Sequence, residues 1–163
     1  MWREVECKGD LPCPRAQHSA TLVGDNLIVI GGFTGDALLN DVHVLNLTSG
    51  EWRRIETKGV PPAERHDISE APFRVYPARH SATLLTHNKH NKTGFLVYVG
   101  ASGIHLLNIA NWTWEKPEID NVAALPSSLV CHSAIEVSPS RMVILGGISD
   151  DQQNSTLFSL EFL

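Results

Sequence analysis

What this chain lacks narrows it first. No run of eighteen or more apolar residues occurs in its 163 positions, so no helical membrane span is expected. Basic residues are outnumbered, 13 Lys and Arg against 18 Asp and Glu. A net charge of −5 offers no footprint for displacing counterions from a nucleic acid, so nucleic acid and membrane are both excluded as expected partners. Only three cysteines are present, Cys7, Cys13 and Cys131. Their number is odd, and the C-x5-C spacing of the first two, with no matching Cys/His pair, is too loose for a zinc knuckle, so reduced bystanders are expected. The first residues include Arg3, Glu4, Glu6 and Lys8, where a secretory signal needs a continuous apolar stretch. A cytoplasmic location is the expectation, with the nucleus as its extension.

What is present is a repeat. "RAQHSATLVGDNLIVIGG" at 15–32 returns as "RHSATLLTHNKHNKTGFLVYVGA" at 79–101 and as "VCHSAIEVSPSRMVILGG" at 130–147. His18, His80 and His132 are equivalent, each followed by Ser-Ala. Further on, "HVLNLTSGEW" at 43–52 matches "HLLNIANWTW" at 105–114, and Trp2, Trp52 and Trp114 hold one position in successive units. The opening "MWREVECKGDLP" repeats as "WRRIETKGVPP", down to its Lys-Gly. Insertions such as "HNKHNKT" and "HDISEAPFRVYP" fall between the constant blocks, as loops do when they lengthen on a fixed scaffold. Each unit of about fifty residues reads as four short strands ("SATLV", "LIVIGG", "VHVLNL", "EWRRIE"), rich in aliphatic residues and bounded by turn residues, with no helical periodicity.

A period near fifty, a double glycine closing strand two, Asn40-Asp41 before strand three and Trp52 in strand four resemble the kelch repeat. The resemblance implies an all-β chain of kelch-type β-propeller blades, each of four antiparallel strands, about three blades in all and thus a partial propeller. It divides 1–163 as one kelch-repeat region: 1–12 as the outer strand of an incomplete blade, 13–60 as blade one, 61–118 as blade two, and 119–163 as blade three without its outer strand. Repeat two departs from the pattern at Gly100-Ala101, and repeat three has Leu129 in place of the arginine.

Most of the singled-out residues read as scaffold. Gly31-Gly32 and Gly146-Gly147 lead into strands, not into a helix that could hold a phosphate, so crowded backbone explains them better. His18, His80 and His132 cannot activate the serine next in sequence, because strand neighbours point to opposite faces. Trp2, Trp52 and Trp114 suit packing between neighbouring blades, and Trp112 falls two residues before Trp114, on the same strand face. His87 and His90 sit in a polar, lysine-flanked loop, and the N-x-T sequons at Asn46, Asn91, Asn111 and Asn154 read as turn chemistry. No cofactor or metal site is expected.

Arg15 and Arg79 precede first strands, and Arg65 sits in the matching place before the twelve-residue insert, which favours a structural role by repetition. The resemblance nevertheless implies that arginines near this connection face acidic peptides. Expected partner-binding residues are Arg15, Phe33, Asp36, Phe73, Arg74, Tyr76 and Arg79, with the non-repeated Arg74 and Tyr76 foremost. The expected function is a non-catalytic protein–protein interaction scaffold that binds a protein or peptide through its inter-blade loops. Two alternatives accompany it. One is a half-propeller fragment or isoform that forms a homodimer, takes its missing blades from a longer chain, or serves as a substrate-recognition subunit of a ubiquitin ligase. The other is a kelch-fold metal-dependent enzyme, disfavoured because Tyr76 and Tyr98 lie in no copper-radical motif and no Glu-x3-Asp-x3-His pattern occurs.

Overall fold

The computed structural model describes residues 1–62, 80–85, 94–100, 103–117, 129–149, 152–153 and 155–161. Among them there are strands, bridges and turns and no helix. The first sheet contains β1 (Lys8–Gly9), β2 (Ser19–Val23), β3 (Asn26–Phe33), β4 (Leu38–Asn46) and β5 (Glu51–Ile55). Its order is β1-β5-β4-β3-β2. The second contains β6 (Lys58–Gly59), β7 (Ser81–Leu85), β8 (Phe95–Gly100), β9 (Gly103–Asn108) and β10 (Thr113–Glu115), in the order β6-β10-β9-β8-β7. The third pairs β11 (Ser133–Ser138), β12 (Arg141–Leu145) and β15 (Leu157–Glu161), while β13 (Ile148–Ser149) and β14 (Gln152–Gln153) make a small hairpin between them in sequence. Three antiparallel meanders of one design, stacked in chain order, are propeller blades.

Turn chemistry sets the hairpins. The Asn46 Oδ1 accepts from the backbone N–H of Thr48 (3.1 Å) and Ser49 (2.8 Å), and Asn111 does the same for Thr113 (3.1 Å). These Asx turns reverse the chain between strands three and four. Trp112 belongs to this turn, with a φ of 57°, and not to the strand face expected of it; the strand begins one residue later.

Blade faces alternate along each strand and pack against the next blade. Ile28, Ile30, Val42 and Val44 of blade one meet Leu96, Tyr98, Leu107 and Trp114 of blade two in one buried cluster. Val97, Val99 and Leu85 of blade two meet Leu129, Met142, Ile144 and Leu160 in the other. The rings of Tyr98, His105 and Trp114 meet edge to face, with centroids 6.0–6.5 Å apart, and His80 stacks on Tyr98 at 4.6 Å.

The repeated His-Ser-Ala-Thr stretch joins the blades. His80 Nε2 lies 3.0 Å from the Ile30 carbonyl and 3.1 Å from Ser19 Oγ, and since a carbonyl only accepts, Nε2 carries the proton. One unit later His132 Nε2 bonds Ser81 Oγ at 2.7 Å. Thr21 Oγ1 donates to the Ala82 carbonyl (2.6 Å) and Thr83 Oγ1 to that of Ala134 (3.4 Å). Each histidine thus engages the serine of the preceding unit, while His18, ahead of the first such interface, is exposed.

The Lys-Gly repeat is a strap. Lys8 and Gly9 pair in parallel with Glu51 and Trp52, and Lys58 and Gly59 with Thr113 and Trp114. The segment that follows one unit's tryptophan strand therefore covers the outer edge of the next unit's. At Gly9 (φ 87°) an added Cβ would collide with the Trp52 carbonyl oxygen, so glycine is required there. Residues 1–12 do not form the outer strand expected of them: only the strap is strand, and Trp2 is fully exposed, since no other strand among the described residues lies beside it.

Candidate functional site

The ends of β3 and β4 and the segments that connect blades lie at one edge of blade one. The tight hairpin between β3 and β4 is set by Thr34, whose backbone N–H donates to the Ala37 carbonyl (3.0 Å) and whose Oγ1 accepts from the Ala37 N–H (3.0 Å). It carries Asp36 exposed at its tip and a half-buried Phe33 at its base. Phe33 is held by reciprocal backbone bonds to Ala16, both 2.9 Å. Gly31 and Gly32, with φ of 59° and 113°, make this corner: a Cβ would stand 2.7 Å from the Leu39 carbonyl oxygen at the first and 2.8 Å from that of Ala16 at the second.

Arg15 anchors the same corner from inside. Its Nη1 and Nη2 donate to Asp41 Oδ1 (2.6 Å) and Oδ2 (3.0 Å), a bidentate pair, and Nη1 also donates to the Gly31 carbonyl (3.0 Å). Nε donates to the Cys13 carbonyl at 3.2 Å and Nη2 to Cys13 Sγ at 3.3 Å. The side chain is only 4% exposed, so its donors are committed within the blade. Burial alone would raise the Asp41 carboxyl, but the hydrogen bonds and charge of Arg15 outweigh it and hold that carboxyl below its ordinary range. Burial alone would lower the Arg15 guanidinium; Asp41 outweighs this and raises it.

Beside this ion pair lies a cavity of about 550 Å³. The segment after β1 contributes Asp10, Leu11 and Cys13; Arg54 and Glu56 come from the end of β5 and the residue after it. His43 completes the wall with Arg15 and Asp41. The His43 side chain is 6% exposed, and its Nδ1 makes no hydrogen bond, standing 3.5 Å from Asp41 Oδ2. Burial pushes its pKa down; Asp41 opposes this, while Arg15 and Arg54 add to it, so the imidazole is neutral at pH 7. Asp10 Oδ2 accepts a long bond from the Arg54 backbone N–H (3.4 Å). Among the described residues no group of three or more His, Cys, Asp or Glu side chains is placed to hold a metal ion.

The expected partner-binding residues divide into three groups. Phe33 and Asp36 stand on the hairpin beside the cavity, Arg15 is turned inward onto Asp41, and Phe73, Arg74, Tyr76 and Arg79 lie outside the described residues. Sequence reasoning missed Asp10, Arg54 and Glu56, which come from separate segments that the strap brings together. The recurring Lys-Gly was the available signal for that strap.

The repeat is the kelch repeat, and the blades are those of a kelch-type β-propeller. The family model described as the KLHDC2/KLHL20/DRC7 Kelch-repeats domain matches residues 1–72. Host cell factor 1 of Homo sapiens is 32% identical over 181 residues, covering 95% of this chain and 8% of that protein. Host cell factor of Drosophila melanogaster is 27% identical over 179 residues, covering 96% of the chain and 11% of that protein. The chain thus spans only a small part of the length of these relatives. The solved structure of YjhT superposes with a TM-score of 0.59 over 91% of this chain and 50% of that one, at 14% identity, which is a likeness of fold.

Proposed function

We propose that the chain is a non-catalytic protein-interaction module that binds a protein or peptide partner with the loops connecting its blades. The observation that carries this reading is the pairing of an exposed hairpin with a polar cavity at one edge of blade one. The kelch repeats of this chain and of its relatives support it. The repeated histidines His80 and His132 are engaged in joining blades, which favours a scaffold over a set of catalytic bases. Phe73, Arg74, Tyr76 and Arg79, which precede blade two in the sequence, belong to the same proposal. A cytosolic or nuclear setting belongs to the same proposal, since Cys7, Cys13 and Cys131 are free thiols suited to a reducing compartment. Service as a substrate-recognition subunit of a ubiquitin ligase is one form such a module takes.

Selection of peptides from a randomised display library against the chain tests this reading. Enriched peptides are expected to lose binding by about tenfold or more when Asp36, Arg74 or Tyr76 is changed to Ala, as hot-spot residues do. Failure to enrich any peptide, or enrichment indifferent to all three changes, would sink it.

A second reading, self-association or completion by further blades, has one specific observation behind it. Ile30 and Val42 are 1% and 0% exposed where blade one meets blade two, whereas their register equivalents on blade three, Leu145 and Leu157, are 55% and 63% exposed. That face fits another blade, from a second copy or from additional sequence. Light scattering tests the first source: a dimer lost on Leu157→Arg supports it, and a monomer at all concentrations removes it.

A further inference from the structure

The cavity on blade one has a sign. Arg15 and Asp41 neutralise each other through two hydrogen bonds, leaving two exposed carboxylates, Asp10 and Glu56, against the single guanidinium of Arg54. The remaining polar wall is His43, more than nine-tenths buried, with an Nδ1 that has found no hydrogen bond. The equivalent His105 of blade two also has an unbonded Nδ1, but there the ring is packed against Tyr98 and Trp114, whereas His43 lines an open cavity. Outside the Arg15–Asp41 pair, two carboxylates face one guanidinium, so the charged groups of the cavity sum to −1, on a site that the resemblance to acidic-peptide binders would have made basic. From the geometry we infer that this cavity receives a basic side chain, arginine or lysine, of the partner, with Asp10 and Glu56 as its carboxylate contacts and His43 as part of the pocket wall. The inference rests on the interaction-module reading and supplies the chemistry of the partner at one point of blade one. An arginine suits the site best, because a planar guanidinium can bridge two carboxylates from different segments where an ammonium acts as a point charge.

The probes are N-acetyl-arginine amide, N-acetyl-lysine amide and N-acetyl-glutamate amide, titrated separately into the isotope-labelled chain while the His43 ring signals are followed by NMR. Saturable shifts are expected with arginine, weaker ones with lysine, and none with glutamate. In the Asp10→Asn/Glu56→Gln variant the arginine affinity is expected to fall by about tenfold or more, with the dispersion of the spectrum showing that the fold is kept. Binding of glutamate in preference to arginine, absence of saturable binding by either basic probe, or arginine binding unchanged in the variant would each overturn the inference. If display selection yields loop-face binders while the basic probes leave His43 unmoved, this inference fails and the module reading survives.

Discussion

Blades one and three build the same corner by different means. In blade one, Ala16 bridges Phe33, and Arg15 braces the corner by its ion pair with Asp41. In blade three, Val130 bridges Ile148 in the equivalent place, and the residue before it is Leu129, 3% exposed and packed into the core with Met142, Ile144 and Leu160. Gly147 leaves the room that Leu129 fills: an added Cβ there would be 2.8 Å from its Cδ1. Blade one thus braces the corner with an ion pair inside the blade, and blade three with a leucine that also packs against Leu85, Val97 and Val99 of blade two. If the two braces are equivalent, the corner does not need the charge. What the charged version adds in blade one is a polar surround, and it is there that the cavity opens.

Four variants and one titration test this comparison. Leu129→Ala removes the apolar brace and leaves a cavity, costing about 3–4 kcal/mol of unfolding free energy by urea denaturation. Asp41→Ala strands the Arg15 guanidinium, 4% exposed, without its partner, at a cost of about 3 kcal/mol. His80→Leu, which unties blade two from Ser19 and the Ile30 carbonyl, costs about 1–2 kcal/mol, since two buried acceptors lose a donor. Acid sensitivity should be smaller and graded. His43, His105 and His132 all have pKa values lowered by burial, so the stability they contribute is full above 6.5 and declines as pH falls below it. Asp41 is held below its ordinary 3.8, so its contribution stays full above that value and is lost only as pH falls further, through its lowered folded value. A urea midpoint that declines first below pH 6.5 and again below pH 3.8 is the expected record. The smallest effect belongs to Arg15→Leu/Asp41→Thr, which writes the blade-three residues into blade one and should change stability by no more than about 1 kcal/mol. A loss as large as that of Asp41→Ala would show that the two corners are not equivalent.

The fold was largely legible in the sequence because each blade is a local object. Period, turn residues and alternation all lie within about fifty residues, and Asn46, Asn111 and the Gly31-Gly32 corner act where their neighbours in sequence say they should. Contacts between units were not legible. His80 and Ser19 are 61 residues apart, and alternation correctly forbade the adjacent serine without naming the distant one. The candidate site was half legible. Phe33 and Asp36 follow from the connection after the double glycine, but the cavity depends on a strap of two residues whose parallel pairing has no alternation to announce it. Trp2 shows the limit of the repeat as a guide: its place suggested inter-blade packing, and among the described residues it is fully exposed.

The central claim is that the repeated His-Ser-Ala, double-glycine and Lys-Gly stretches build the scaffold while the hairpin and cavity residues of blade one recognise the partner. Hydrogen–deuterium exchange of the chain with and without a display-selected peptide tests this most directly. Protection is predicted in 10–16, 33–41 and 54–60, with β2, β7 and β11 unchanged. Protection centred on those inner strands, with the loop edge unaffected, would contradict it.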